Sequence, residues 1–120
     1  MGHPAQHHAI NYIEFTTADV AAAKKFYSTV FGWTFQDWGP DYASFASEHA
    51  GIDGGFRRGP APPASENAPL IVLYSKNLEA TEAAIVAAGG SIEVPIFTFP
   101  GGRRFHFNDN CGNTLAVWSE

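Results

Sequence analysis

His106, Tyr12 and Glu14 are the side chains in this sequence best suited to moving a proton. An imidazole titrates near neutrality, a phenol can donate or accept, and a carboxylate becomes a useful base when burial raises its pKa. His106 sits in Arg103-Arg104-Phe105-His106-Phe107-Asn108, and Tyr12 and Glu14 sit in Tyr12-Ile13-Glu14-Phe15-Thr16. Both runs alternate polar and apolar residues, the period-two pattern of a strand with every second side chain on one face. Tyr12, Glu14 and Thr16 are therefore expected to share a face, with Ile13 and Phe15 packed against a helix. Treating Asp109–Asn113 as a five-residue loop pairs Asn108 with Thr114, His106 with Ala116 and Arg104 with Trp118. Directly opposed side chains share a face. Arg104, His106, Asn108, Thr114 and Trp118 should thus line one surface, joined by Leu70, Val72 and Tyr74 from a strand over Leu70–Tyr74.

These residues make an apolar and aromatic surface with a few polar groups, the general character of a small-molecule site. The candidate catalytic residues are His106, Tyr12 and Glu14. The candidate substrate-binding residues are Arg104, Trp118, Tyr74, Leu70, Asn108 and Thr16, and Arg104 or Arg103 is suited to holding a carboxylate. Each has a structural reading as well: His106 as a satisfied strand residue, Glu14 as the partner of an arginine, Trp118 as packing. Cys111 sits in a turn without the electropositive setting a reactive thiol needs.

The elements that position these groups come in two similar copies. Placing Asp19 on Asn77 also places Val20 on Leu78, Ala22 on Ala80, Tyr27 on Ile85 and Gly32 on Gly90. Each copy reads as strand, polar cap, helix, glycine stop and further strands. In the first, the strand Ile10–Thr17 leads to a helix over Asp19–Val30 with Val20, Ala23, Phe26, Tyr27 and Val30 on one side. Strands Gly32–Trp38 and Tyr42–Ser47 follow, joined through Gly39-Pro40-Asp41, and then a glycine-rich strand Gly51–Arg57. The second copy runs Leu70–Tyr74, a helix over Glu79–Ala88, Ser91–Phe99, Arg103–Asn108 and Asn113–Ser119. Pro95 should bend the Ser91–Phe99 strand or hold it at an edge. Pro60, Pro62, Pro63 and Pro69 make a stiff crossover between the copies.

Composition narrows the class. The chain has 120 residues, 45% hydrophobic, enough for a packed core. Twelve acidic residues against seven basic give a net charge of -5, which disfavours nucleic acid as a partner and suits a cationic, planar ligand. One cysteine, Cys111, excludes an internal disulfide and fits a reducing cytoplasm. No apolar run is long enough to span a membrane, and the start lacks the order of a signal peptide. His3, His7 and His8 lie in a polar leader that is expected to be without function.

Phe26-Tyr27, then Val30-Phe31-Gly32-Trp33, and the ending Arg104-Phe105-His106-Phe107-Asn108-Asp109 with Gly112-Asn113 and Leu115-Ala116-Val117-Trp118, resemble the vicinal oxygen chelate superfamily of glyoxalases, bleomycin resistance proteins and dioxygenases, nearest to its lactoylglutathione-lyase-related members. The resemblance implies an α+β fold: one domain over residues 1–120 made of two tandem βαβββ modules, about 10–57 and 70–119, with a crossover at 58–69 and curved mixed sheets forming a cup. It also implies a homodimer and a small-molecule ligand. The superfamily's metal-ligand positions carry over to Tyr12, Leu70 and Ala116, with Asp53 the candidate for the fourth. Leu70 and Ala116 cannot ligate, and a protonated Tyr12 is a poor ligand. The expectation is therefore no metal and no other cofactor. The expected function is a metal-independent lyase- or isomerase-type enzyme; the alternative is a protein that sequesters a drug or metabolite.

Overall fold

The computed structural model describes residues 5–60 and 68–120. The chain forms two compact units, Met1–Ala61 and Pro62–Glu120. His3, Pro62 and Pro63 lie outside the described residues.

In the first unit, β1 (Tyr12–Thr17), α1 (Val20–Phe31), β2 (Phe35–Asp37), β3 (Tyr42–Phe45), α2 (Ser47–Ala50) and β4 (Asp53–Arg58) follow in order. The strands make one mixed sheet, β1-β4-β3-β2, with β1 parallel to β4 and the other pairs antiparallel. In the second unit, β5 (Val72–Tyr74), α3 (Leu78–Ala87), β6 (Ser91–Phe99), β7 (Gly102–Asn108) and β8 (Thr114–Ser119) make the sheet β5-β8-β7-β6, with β5 parallel to β8. Two four-stranded mixed sheets, each with a helix, make the fold α+β.

The two longer helices, α1 and α3, start alike. Asp19 Oδ1 accepts from the Ala22 N–H at 3.0 Å, and Asn77 Oδ1 from the Ala80 N–H at 3.1 Å. Each cap is braced by the hydroxyl two residues earlier. Thr17 Oγ1 accepts from the Asp19 N–H, and Ser75 Oγ from the Asn77 N–H. These contacts satisfy donors that the first turn of a helix leaves free. Gly32, at φ 74°, ends α1, with its N–H bonded to the Ser28 carbonyl and the Trp33 N–H to that of Tyr27.

Aromatic residues dominate the first core. Tyr27 stacks on Trp33 at 4.9 Å between ring centres and approaches Phe56 at 5.1 Å; Phe15 stacks on Phe56 at 5.0 Å. In the second unit, Leu78 and Ile85 of α3 and Phe105, Phe107, Leu115 and Val117 of the sheet are fully buried. The alternation along β7 and β8 thus puts one side of that sheet under α3, as the pattern requires.

Several sequence-based bounds need correction. The strand expected over Gly32–Trp38 is only Phe35–Asp37, and that over Leu70–Tyr74 begins at Val72. The glycine-rich strand begins at Asp53 because Ser47–Ala50 form a helical turn that the reading missed, closed by Gly51 in the left-handed conformation. Asp53 holds that turn by accepting from the Ser47 N–H at 2.8 Å. β6 is both an edge strand and irregular, with register shifts on either side of Val94.

Candidate functional site

The open face of the first sheet carries a hydrogen-bonded chain. Tyr12 lies opposite Asp53, Glu14 opposite Gly55, and Thr16 opposite Arg57. Tyr42 leans over Gly55, where a Cβ would lie closer than 3.0 Å to the tyrosine ring. From there its hydroxyl donates to Glu14 Oε1 at 3.0 Å and accepts from the Tyr12 hydroxyl at 2.5 Å. The direction follows from arithmetic, since each phenol has one proton to give. Arg57 Nε meets Glu14 Oε2 at 3.3 Å. Burial, with the bonds to Tyr12 and Glu14, raises the Tyr42 pKa well above its ordinary value, so this phenol stays protonated. The glycine-rich strand thus makes room for Tyr42, which the sequence reading overlooked although it sits at an open-face position of β3.

Glu14 was expected to act as a base on the condition of burial. That condition is not met: the side chain is 44% exposed and is occupied by Arg57 and Tyr42. Beside this chain, Tyr12, Phe35, Phe45, Glu48 and Asp53 line an open cleft of about 410 Å³.

The open face of the second sheet has a different chemistry. Arg104 pairs with Trp118, His106 with Ala116 and Asn108 with Thr114, the register deduced from the loop length. Tyr74 lies beside Trp118 and Val72 beside Ala116. Tyr74 and Trp118 meet edge to face at 5.3 Å, and Trp118 lies 6.5 Å from Phe99. The Arg104 guanidinium carbon sits 5.4 Å from the centre of Phe97 and 5.6 Å from that of Phe99, within cation–π range. His106 lies 5.9 Å from Phe97 and opposite Val94. Arg104 Nε and His106 Nε2 are both buried and hydrogen-bond to nothing among the described residues. Burial lowers the His106 pKa, and the charge of Arg104 lowers it further, so the imidazole is neutral at neutral pH.

The remaining candidates scatter. Asn108 donates to Thr114 Oγ1 at 3.2 Å at the far end of the hairpin. Tyr74 donates to Glu120 Oε1, which raises its pKa. Leu70 precedes β5 and is 36% exposed. Thr16 is half-buried on the first sheet. Arg103 is not available for a ligand carboxylate, since its guanidinium holds both oxygens of Glu79 on α3, at 2.6 and 3.2 Å. Asp109 is buried and organises the hairpin loop through the Cys111 and Asn113 N–H groups. Phe97 and Phe99 were missed because the shifts around Val94 break the alternation that would have assigned their face.

The metal positions suggested by resemblance do not make a ligand set. Ala116 presents a buried methyl, Leu70 an alkyl group, Tyr12 a phenol bonded to Tyr42, and Asp53 a carboxylate bonded to a backbone N–H. Among the described residues no three His, Cys, Asp or Glu side chains cluster to hold an ion. No step is therefore derived through a metal. Nor, among those residues, is any helix long and apolar enough to cross a membrane.

A profile of the Glyoxalase/Bleomycin resistance protein/Dioxygenase superfamily matches residues 9–117. The chain belongs to that superfamily. A curated relative, "Putative glyoxylase CFP32" of Mycobacterium bovis, is 29% identical over 117 residues. That match takes in 90% of this chain and 44% of the relative, so the chain spans less than half the length of the protein it matches. Among solved structures, the fosfomycin resistance protein FosX from Listeria monocytogenes is similar at a TM-score of 0.79 and 15% identity, over 96% of this chain and 95% of that one. A superfamily enzyme from Burkholderia phytofirmans is similar at 0.75 and 16%, over 91% and 96%. At such identities these likenesses show the fold alone. They agree with the two four-stranded sheets and with the superfamily fold expected from the sequence.

Proposed function

We propose that this superfamily member is a metal-independent enzyme of lyase or isomerase type, with its small-molecule substrate lying on the open face of the second sheet. One observation carries the reading: Arg104 Nε and His106 Nε2 are buried, without a hydrogen-bond partner among the described residues, and set on one aromatic face. An unsatisfied buried polar atom costs on the order of 1–3 kcal/mol, a cost that a bound ligand relieves. A proton shift beside a carbonyl needs a base for the carbon-bound proton and a donor for the charge that develops on oxygen. Neutral His106 suits the first role and Arg104 the second. Tyr74 and Trp118 supply apolar surface for orientation.

The test is deuterium incorporation from D₂O into hydroxyacetone and phenylpyruvate, followed by NMR. The enzyme reading expects exchange faster than in buffer, lost in His106→Ala while binding survives. No acceleration with either compound would remove the proton-shuttle role.

A second reading, sequestration, is favoured by the cleft of the first unit. Its rings and its Glu48 and Asp53 carboxylates suit a cationic, planar ligand. In that case Glu48→Gln weakens binding and His106→Ala changes nothing. A homodimer in the cytoplasm belongs to the same proposal; a monomeric mass by light scattering at micromolar concentration would count against the dimer.

A further inference from the structure

We infer that the ligand of the second sheet's open face is a monoanion, a carboxylate carried on a flat aromatic or similarly apolar body, with Arg104 as the residue that holds the carboxylate. This rests on the proposed site and names its substrate class. It chooses Arg104 from the two arginines that the sequence offers for a carboxylate, and it departs from the cationic ligand that the net charge of the whole chain suits.

The sheet carries two arginines side by side on β7, and the alternation of the strand sends them opposite ways. Arg103 goes to the α3 side, where Glu79 takes it in a two-point ion pair. Arg104 goes to the open side and has no carboxylate partner among the described residues. The acidic groups nearest in the chain do not serve it: Glu93 is exposed on the edge strand, and Glu120 accepts from Tyr74. A guanidinium is permanently charged, and its planar fork matches a carboxylate. It lies over Phe97 and Phe99, whose ring faces offer its Nε–H no acceptor, and none is found among the described residues.

His106, two residues along the strand on the same face, adds one neutral ring nitrogen, also without a partner among the described residues. The complement is one full positive charge and one neutral imidazole. That balances a single negative charge, whereas a phosphate dianion would want further cations. Around these groups the face is apolar: Val72, Val94, Phe97, Phe99, Trp118 and the Tyr74 ring. The flat rings suit a planar body by stacking or edge contact.

The experiment compares benzoate with its neutral and cationic relatives, benzamide and benzylamine, on the full chain. Binding is read from the His106 imidazole and Trp118 indole NMR signals, assigned with His106→Asn and Trp118→Phe. Benzoate is expected to shift both signals with a millimolar dissociation constant, as suits so small a ligand. Benzamide and benzylamine should bind at least tenfold more weakly, by roughly the weight of one charged hydrogen bond. Arg104→Gln should lose roughly 10- to 100-fold of the benzoate affinity. Arg104→Lys, which keeps the charge without the fork, should lose less. Benzylamine or benzamide binding here as well as benzoate would overturn the anion assignment and leave the face standing as a site. Failure of all three to shift His106 would also overturn it, and the deuterium-exchange assay then judges the site by itself. Arg104→Gln binding benzoate like the unaltered chain would remove Arg104 from the assignment.

Discussion

His106 is held between two influences that both disfavour its charge. Burial strips water from the imidazolium, and the neighbouring Arg104 repels it, so its pKa falls below the ordinary 6.5. Between that depressed value and 6.5 the unfolded chain binds more protons than the folded one. The His106 contribution to stability therefore rises with pH through this window and is level above it. Melting temperature against pH should show this acid-side slope, flattened in His106→Asn, and NMR titration should place the His106 midpoint below 6.5. A midpoint at or above 6.5 would contradict the environment described for the ring. The alternation around His106, and hence the company of Arg104 and Trp118, could be read from the sequence, because loop length fixes hairpin register. That Glu14 could partner an arginine was among the readings, but which arginine was not legible: Arg57 of β4 lies far along the chain and becomes a neighbour only through the parallel pairing.

At the level of elements, β4 shows why glycine is placed where it is. Gly55 sits between Glu14 and Ser44 in the sheet and leaves open the space that the Tyr42 ring fills. Gly55→Ala should push that ring aside and cost about 1–3 kcal/mol as overpacking. Tyr42→Phe, which keeps the shape and loses the hydroxyl bonds, should cost less, about 0.5–1.5 kcal/mol. Denaturant melts of the two variants check the order; a Gly55→Ala chain as stable as the parent would mean that the ring does not need that space. The longer helices α1 and α3 and their caps were legible because capping is local chemistry at Asp19 and Asn77. The turn Ser47–Ala50 was not, since it is held by Asp53 from the next strand rather than by a cap of its own. The orientation of Phe97 and Phe99 was hidden for a related reason. Pairing with β7 decides where β6 slips, and Pro95 in the sequence indicates an irregularity without giving its size.

For the molecule as a whole, the repeat and the motif order were enough to reach the superfamily, since they record a scaffold that many chemistries share. They also carried the prediction about metal, which rests on donor chemistry: an alkyl group at Leu70, a methyl at Ala116 and a tyrosine already bonded at Tyr12. Which ligand the chain takes was not legible. That depends on which polar atoms remain unpartnered after folding, and Arg103 and Arg104 look alike in sequence until Glu79 takes one of them. The central claim is that this chain does its work on the Arg104–His106 face without a divalent metal. Its most direct test is metal content together with melting in the presence of nickel, zinc, iron or manganese, on protein with His3, His7 and His8 replaced by alanine. Because specific binding raises the melting temperature by mass action, the account predicts no co-purifying metal and no shift with any of the four. Stoichiometric metal, with a melting temperature that a chelator lowers, would contradict it.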